Sequence, residues 1–267
     1  MKVKDLFVAK LPDIVYVILK NCQFRFQKSS VRYVSRNGMI EIMDANLLWI
    51  THRNRAHLYS RGLLERGASI GKSYLLDNIE FTEGDTVVDC GANMGDLQLW
   101  FKNKRIQVNY LGIEPNPLDF DCLSKNMLAG SSCLNLALWK ESGSLKFWID
   151  SKSASSSLIE PPNFSKTTTV KASRLDELQI PKRIKLLKVE GEGAEPEILL
   201  GAVNFLSRIE FISLDVGPER GIEQATTRLE VLNYLQDNHF KLVLENPYHR
   251  KTVLFMNSRL KPLETVG

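Results

Sequence analysis

The sequence predicts an α/β protein built on a doubly wound, mostly parallel sheet, and three observations carry that expectation. Strand-like and helix-like segments alternate from about residue 85 onward, the order that builds a parallel sheet covered on both faces. Val87-Val88 runs into a glycine loop, Asp89-Cys90-Gly91-Ala92-Asn93-Met94-Gly95, and then into the apolar positions Leu97, Leu99, Trp100 and Phe101 of a helix. The last two strand-like segments read as a hairpin, which adds an antiparallel strand at the sheet edge.

Taken in order, residues 1–75 read as a small amino-terminal α+β segment and residues 76–267 as the main domain. Met1 to Cys22 is apolar around Ile14–Leu19 but interrupted by Lys10, Pro12 and Asp13. It is too short to span a bilayer and lacks a small-residue cleavage site, so a core helix is favoured over a membrane-surface helix. Val31–Ser35 and Met39–Met43 flank Asn37-Gly38, the favoured dipeptide of a type I′ hairpin. Asn46 to Leu76 is predicted helical, with breaks at Gly62, Gly67 and Gly71. After a turn at Glu83-Gly84-Asp85, strands are predicted at Val87-Val88, Val108–Glu114, Cys133–Leu138, Ile184–Val189 and Glu210–Val216. Helices are predicted at Leu118–Leu128, Glu195 to about Leu206, and Thr226–Asn238. Extra β pieces at Ser144–Ile149 and Thr168–Lys171 surround a serine-rich loop, Ser151–Ser157. Phe240–Leu244 and Thr252–Met256 form the final hairpin around Asn246-Pro247.

The 267 residues are 43% hydrophobic and 25% charged, an ordinary globular composition. The net charge of +4 is uneven: residues 1–66 hold twelve Lys/Arg against five Asp/Glu. That basic segment is either a solvated face or a contact for an anionic neighbour, whether acidic glycan, membrane surface or nucleic acid. Cys22, Cys90, Cys122 and Cys133 show no metal or disulfide spacing, which points to a reducing, cytoplasmic setting, with the inner membrane face as a variant. His52 and His57 do not share a helix face and His249 falls in a turn, so no metal site is expected.

The loop chemistry narrows the cofactor. Aligned on G-x-G-x-x-G from Gly91, the second and third glycine positions hold Asn93 and Asp96, and an acid there opposes a pyrophosphate. The G-K-[ST] ending of a P-loop is missing, and Gly71-Lys72-Ser73 lacks the earlier glycine that motif needs. S-adenosylmethionine carries no phosphate and a positive sulfonium, so an acid-containing loop suits it. Asp89 is a candidate for its ammonium group, and Glu114, ending the second strand, for both ribose hydroxyls.

The second motif is Lys188-Val189-Glu190-Gly191-Glu192-Gly193-Ala194-Glu195-Pro196-Glu197. Glu195, Pro196 and Glu197 suit a first helical turn, whereas Glu190 and Glu192 should emerge on the cofactor side. With Val87–Gly95, Ile113–Pro117, Asn135–Leu138 and Leu175–Leu178, this segment resembles the FkbM family of S-adenosylmethionine-dependent methyltransferases, whose hallmark reads K-I-D-V-E-G-A-E. The resemblance covers roughly residues 75–256. It implies a Rossmann-like class I methyltransferase fold and O-methylation of hydroxyls on sugars, glycans or related metabolites. By that resemblance Gly91, Asn93 and Gly95 line the methionine moiety, Glu114 the ribose, and Ala137 and Leu138 the adenine, with Ala92 and Pro115 as further cofactor-binding residues. Glu190 stands where the family has Asp, and Gly191 where it has an apolar residue.

An alcohol must lose its proton as it is methylated, so the base candidates are Glu190, Glu192 and Asp215, each at or just past a strand's carboxyl end. Arg220 is a candidate contact for an acidic sugar or phosphate. Two rival classes stay open. A nucleic-acid methyltransferase draws on the basic amino-terminal segment but lacks an N-P-P-Y-like tetrad after Ile184–Val189. A non-catalytic cofactor-binding scaffold would share the binding motifs without turnover. Asn93 and Asp96 make a dehydrogenase the weakest reading.

Overall fold

The computed structural model describes residues 11–151, 155–181, 183–246 and 250–260. Its centre is a seven-stranded sheet built from β4 (Thr86–Cys90), β5 (Asn109–Ile113), β6 (Ser131–Leu134), β10 (Ile184–Val189), β11 (Ile209–Asp215), β14 (Phe240–Glu245) and β15 (Thr252–Asn257). Their spatial order is β14-β15-β11-β10-β4-β5-β6. β15 runs antiparallel to both β11 and β14, while β11, β10, β4, β5 and β6 are mutually parallel. The antiparallel strand expected at the edge thus lies one place in, because the hairpin folds back to leave β14 outermost. Every residue of β4 and β11 is buried, the polar Thr86, Asp89, Glu210, Ser213 and Asp215 included, because central strands of such a sheet are covered on both faces. Chain order reverses between β4 and β10, so a crevice opens at their carboxyl ends, the usual ligand position in such sheets.

The helices are α1 (Asp13–Phe26), α2 (Leu63–Ser73), α3 (Leu97–Lys104), α4 (Pro117–Lys125), α5 (Glu195–Leu200) and α6 (Arg228–Asp237). α5 stops at Leu200, short of the predicted Leu206. There Gly201 meets the backbone of Trp139 so closely that a Cβ would lie 2.1 Å from its carbonyl oxygen. The predicted strand Cys133–Leu138 is two strands. β6 ends at Leu134, and β7 (Ala137–Leu138) joins a separate sheet in the order β7-β9-β8 with β8 (Gly143–Ile149) and β9 (Lys166–Ser173), while β12 (Pro218–Arg220) and β13 (Ala225–Thr226) pair as a short ribbon after β11. Between β6 and β7, Asn135 Nδ2 donates to the carbonyls of Glu114 (2.8 Å) and Pro115 (3.3 Å), turning the chain out of the main sheet.

The amino-terminal segment differs most from its prediction. Asn37-Gly38 does form a hairpin turn, with positive φ at both residues (51° and 73°). It joins β1 (Arg32–Arg36) to β2 (Met39–Asp44), but the predicted helix from Asn46 begins with a third strand, β3 (Leu47–Thr51). β3 forms because β2 offers it a full antiparallel partner and because its burial alternates, Trp49 and Thr51 pointing inward. Both outer edges of this sheet are closed by asparagine amides that mimic a neighbouring strand. Asn21 exchanges two 2.8 Å hydrogen bonds with the Tyr33 backbone, and Asn126 does the same for Ile50 at 2.7 and 2.8 Å. A 3-10 segment, Arg53–Tyr59, then leads into α2. Gly67 and Gly71, expected as breaks, lie inside α2 and admit α3: a Cβ on Gly71 would fall 1.8 Å from the Trp100 ring. The first ten residues, part of the Ser151–Ser157 loop, Pro247 and His249 lie outside the described residues.

Candidate active site

The glycine loop sits at the carboxyl end of β4, at the crevice. Gly91 and Gly95 adopt φ of +69° and +85°, and Asn93 takes +51°. Gly91 is irreplaceable on two counts, since a Cβ there would lie 2.1 Å from the Glu190 carbonyl oxygen of the next strand. The amides of Gly91 and Ala92 both donate to the Ile113 carbonyl at 3.0 Å. Glu114 fixes the loop from below, accepting 2.8 Å hydrogen bonds from the Asn93 and Asn116 amides. Burial and the nearby Asp119 carboxyl push Glu114 up to about 8, against those two donors. Asn93 Oδ1 is buried without a hydrogen-bond partner among the described residues, an unmet acceptor in the wall of the cavity.

Asp96, at the loop's end, is held by the amino-terminal segment. Tyr59 Oη donates to Oδ1 at 2.6 Å and Trp49 Nε1 at 3.2 Å, while Arg66 Nε and Nη2 reach Oδ2 at 2.7 Å each. The bare negative charge expected beside the cofactor is therefore neutralised. His52 Nε2 adds a second tie, 2.9 Å from Asp119 Oδ1 on α4. Segments from before residue 75 thus form one wall of the cavity, where Arg55, Arg66, Ile70 and Tyr74 line it.

Behind the loop lies a charged network. Lys188, 4% exposed, interrupts an apolar strand. Its Nζ lies 2.9 Å from Asp89 Oδ1 and 3.5 Å from Glu190 Oε2, and donates to the Gly91 carbonyl at 2.8 Å. Burial alone would lower its pKa, but Asp89 and Glu190 lift it above the ordinary lysine value. Asp89 also accepts from Tyr110 Oη at 2.6 Å, so both its oxygens are engaged inside the fold. Glu190 takes short hydrogen bonds from Tyr74 Oη and Arg250 Nη1. Burial pushes Glu190 up, but Arg250, Lys188 and the Tyr74 hydroxyl outweigh it and hold the group at about 2.

The other acids differ in kind. Glu192 lines the cavity with φ of +50°, a conformation rare outside glycine. Its carboxyl takes no hydrogen bond or ion pair among the described residues; burial and the neighbouring Glu219 and Glu190 push it well above the usual carboxylate range. Asp215 is buried off the cavity, accepting from the Gly217 amide at 2.9 Å and lying 3.5 Å from Arg250. Glu195 is a structural brace, accepting from the Gly191 and Gly193 amides at 2.9 and 3.2 Å. Arg220, a predicted substrate contact, is spent within the fold. It forms a two-point pair with Glu197 at 2.6 and 2.9 Å and donates to the Gly193 carbonyl at 2.5 Å. Ala137, Leu138 and Pro115 line the cavity with Gly91, Ala92 and Asn93; Gly95 packs against Leu123 and Gln98 behind the loop. Tyr74 and Arg250 escaped sequence reasoning because no local pattern marks them. Lys188 had one, a cation directly after the apolar Leu186-Leu187 and before Val189 in a buried strand. Among the described residues no group of three or more His, Cys, Asp or Glu is placed to hold a metal ion.

Residues 89–242, more than half the chain, match the Methyltransferase FkbM domain. The chain belongs to the FkbM methyltransferase family. It is 29% identical over 153 residues to Methyltransferase sdnD of Sordaria araneosa, covering 43% of this chain and 59% of that protein. It is 28% identical over 144 residues to the Hexuronic acid methyltransferase AglP of Haloferax volcanii, covering 51% of this chain and 58% of that protein. The match thus spans about three-fifths of each relative's length. Among solved structures, M. capricolum TrmK in complex with S-adenosyl-homocysteine superposes with a TM-score of 0.39 at 11% identity, covering 76% of this chain and 71% of that one. FkbM-family members are S-adenosylmethionine-dependent methyltransferases. The site fits that cofactor in its donor chemistry: an unmet buried acceptor at Asn93 and an acid ending β5 suit a ligand rich in N–H and O–H donors.

Proposed function

We propose that the protein is an O-methyltransferase that methylates a hydroxyl of a sugar, glycan or related metabolite. The carrying observation is Glu192, a carboxyl of raised pKa with no partner among the described residues, in the wall of the cavity beside the glycine loop. S-adenosylmethionine, when bound, supplies an electrophilic methyl group on a sulfonium. Gly91, Ala92 and Asn93 would hold its methionine end, Glu114 and Pro115 the ribose, and Ala137 and Leu138 the adenine, with Asp89 and Gly95 keeping the loop in shape. Glu192 takes the proton of the acceptor hydroxyl. A carboxylate held at about 2 is too weak a base for that step, so Glu190 instead fixes Tyr74 and Arg250 at the cavity wall. Asp215 orients Arg250 from behind.

Arg55 lines the same cavity and is half-buried, and no ion pair among the described residues engages it. A cation so placed favours an acidic acceptor, and the hexuronic-acid specificity of one relative supports the same class. Uronic acids and their glycosides are therefore the acceptors to screen first. Calorimetric titration should show S-adenosylmethionine binding that Glu114→Ala weakens at least about tenfold, and no binding of NAD. With an acceptor in hand, Glu192→Gln should lower kcat by about 10²–10⁴ while leaving cofactor affinity intact, with activity unchanged by excess chelator. A Glu192→Gln variant with full kcat refutes the assignment of the base; NAD binding in place of S-adenosylmethionine refutes the whole reading.

A further inference from the structure

Helix α1 carries an apolar face that the described fold leaves uncovered. Its inward side is Tyr16, Val17 and Phe24; outward, Ile14, Ile18, Cys22 and Phe26 follow at four-residue spacing, with Val15 and Leu19 beside them. That spacing stacks side chains into one row along a helix. Ile14 is 66% exposed, Ile18 58%, Leu19 53% and Phe26 91%, a contiguous row of the kind that marks an interaction surface. Cations gather at its carboxyl end. Arg25 lies on the row's margin, Lys28 and Arg32 follow, and all three are exposed, outside the nearby ion pairs Arg36–Glu41 and Arg53–Asp13. The first 36 residues hold eight Lys/Arg against two Asp/Glu, a net of +6, so with +4 for the whole chain the remainder nets −2.

We propose that α1 docks on an anionic lipid surface, its apolar row entering the headgroup boundary and Arg25, Lys28 and Arg32 meeting lipid phosphates. An apolar row bordered by cations that form no ion pair among the described residues is complementary to that surface in both respects. A second copy is the poorer occupant: parallel pairing of this row sets the cations against each other, and antiparallel pairing offers them only Asp13, already paired with Arg53. No described helix is long and apolar enough to cross a membrane, so the contact is one of lying on the surface. Docking would also set the cavity beside the bilayer. Tyr16 on α1 lies under the Arg53 guanidinium at 3.3 Å, and Arg53 opens the 3-10 segment whose Arg55 lines the cavity. The proposal is independent of the methyl-transfer chemistry.

The test is co-sedimentation of the full chain with phosphatidylcholine vesicles in which phosphatidylglycerol is about a third of the lipid, against pure phosphatidylcholine. Binding to the anionic vesicles should be at least about tenfold tighter and should weaken with salt. Ile18→Glu with Phe26→Glu should abolish it. Replacing Arg25, Lys28 and Arg32 together by Gln should weaken it roughly 100-fold. All five side chains are exposed, and unchanged thermal melting confirms an intact fold. Equal affinity for the two vesicle types, or wild-type binding by the Ile18→Glu, Phe26→Glu variant, overturns the proposal. So does a concentration-dependent dimer that Phe26→Glu dissolves, which makes the occupant a second copy. Binding seen only after residues 1–10 are removed makes that segment the cover and overturns it equally.

Discussion

Replacing Asp96 by Asn tests whether the amino-terminal segment is an integral wall of the proposed cofactor site. Asp96 is 4% exposed, and its two oxygens receive Tyr59, Trp49 and both Arg66 contacts. Asn keeps the shape but turns one acceptor into a donor that must face either the Tyr59–Trp49 pair or Arg66, and it strips Arg66 of its counter-ion. Removing one partner of a buried ion pair costs about 3–5 kcal/mol. The Arg66 side chain keeps 18% exposure, so water recovers part of that, and we expect a loss of about 2–3 kcal/mol. Urea unfolding should show the loss as a lower midpoint at unchanged slope, and calorimetry as a fall in Tm of about 4–10 °C. Adding Arg66→Met should restore part of the stability, because the orphaned charge is then gone. A loss below about 0.5 kcal/mol, or a double variant no more stable than Asp96→Asn, refutes the clamp.

Gly91→Ala should destabilise the fold by more than about 2 kcal/mol and abolish cofactor binding, because φ of +69° and a 2.1 Å approach to the Glu190 carbonyl both oppose a Cβ; near-normal calorimetric binding would refute the close contact. Stability should also fall as pH rises from about 5 to 9. Glu114 and Glu219 are pushed up to about 8 and Glu195 to about 7, chiefly by burial, so the folded protein retains protons that the unfolded chain releases near 4.5. Their contribution is full below that point and lost as pH climbs through the folded values. Glu190, held at about 2, acts the opposite way, its contribution being lost only as pH falls from 4.5 towards 2. Thermal melts across this range decide the matter, and a Tm that rises from pH 6 to 9 refutes the burial of these acids.

The sequence by itself determined the mostly parallel sheet, its antiparallel carboxy-terminal hairpin and the family, because each signal is local, whereas the insertion of β15 between β11 and the edge strand β14 came only with the fold. Strand, glycine loop and helix fall within about twenty residues, and Lys188–Glu197 is one continuous segment. Glu114 was legible for the same reason, as an acid ending the strand next to the loop. Only the tertiary structure decided what the charges do. Tyr74 and Arg250 reach Glu190 across 116 and 60 positions of chain, and neither carries a local mark that separates it from a surface residue. Asp96 and Arg220 show the converse: alone in the sequence each reads as a free charge facing a ligand, and in the fold each is neutralised by a partner 30 or 23 positions away. The three acids proposed as bases look alike in sequence. Burial and neighbours separate them, holding Glu190 ionised by two cations, tying Asp215 behind Arg250 and leaving Glu192 unpartnered in the cavity. Secondary structure follows from periodicity along the chain, whereas a side chain's charge state follows from what the topology folds against it.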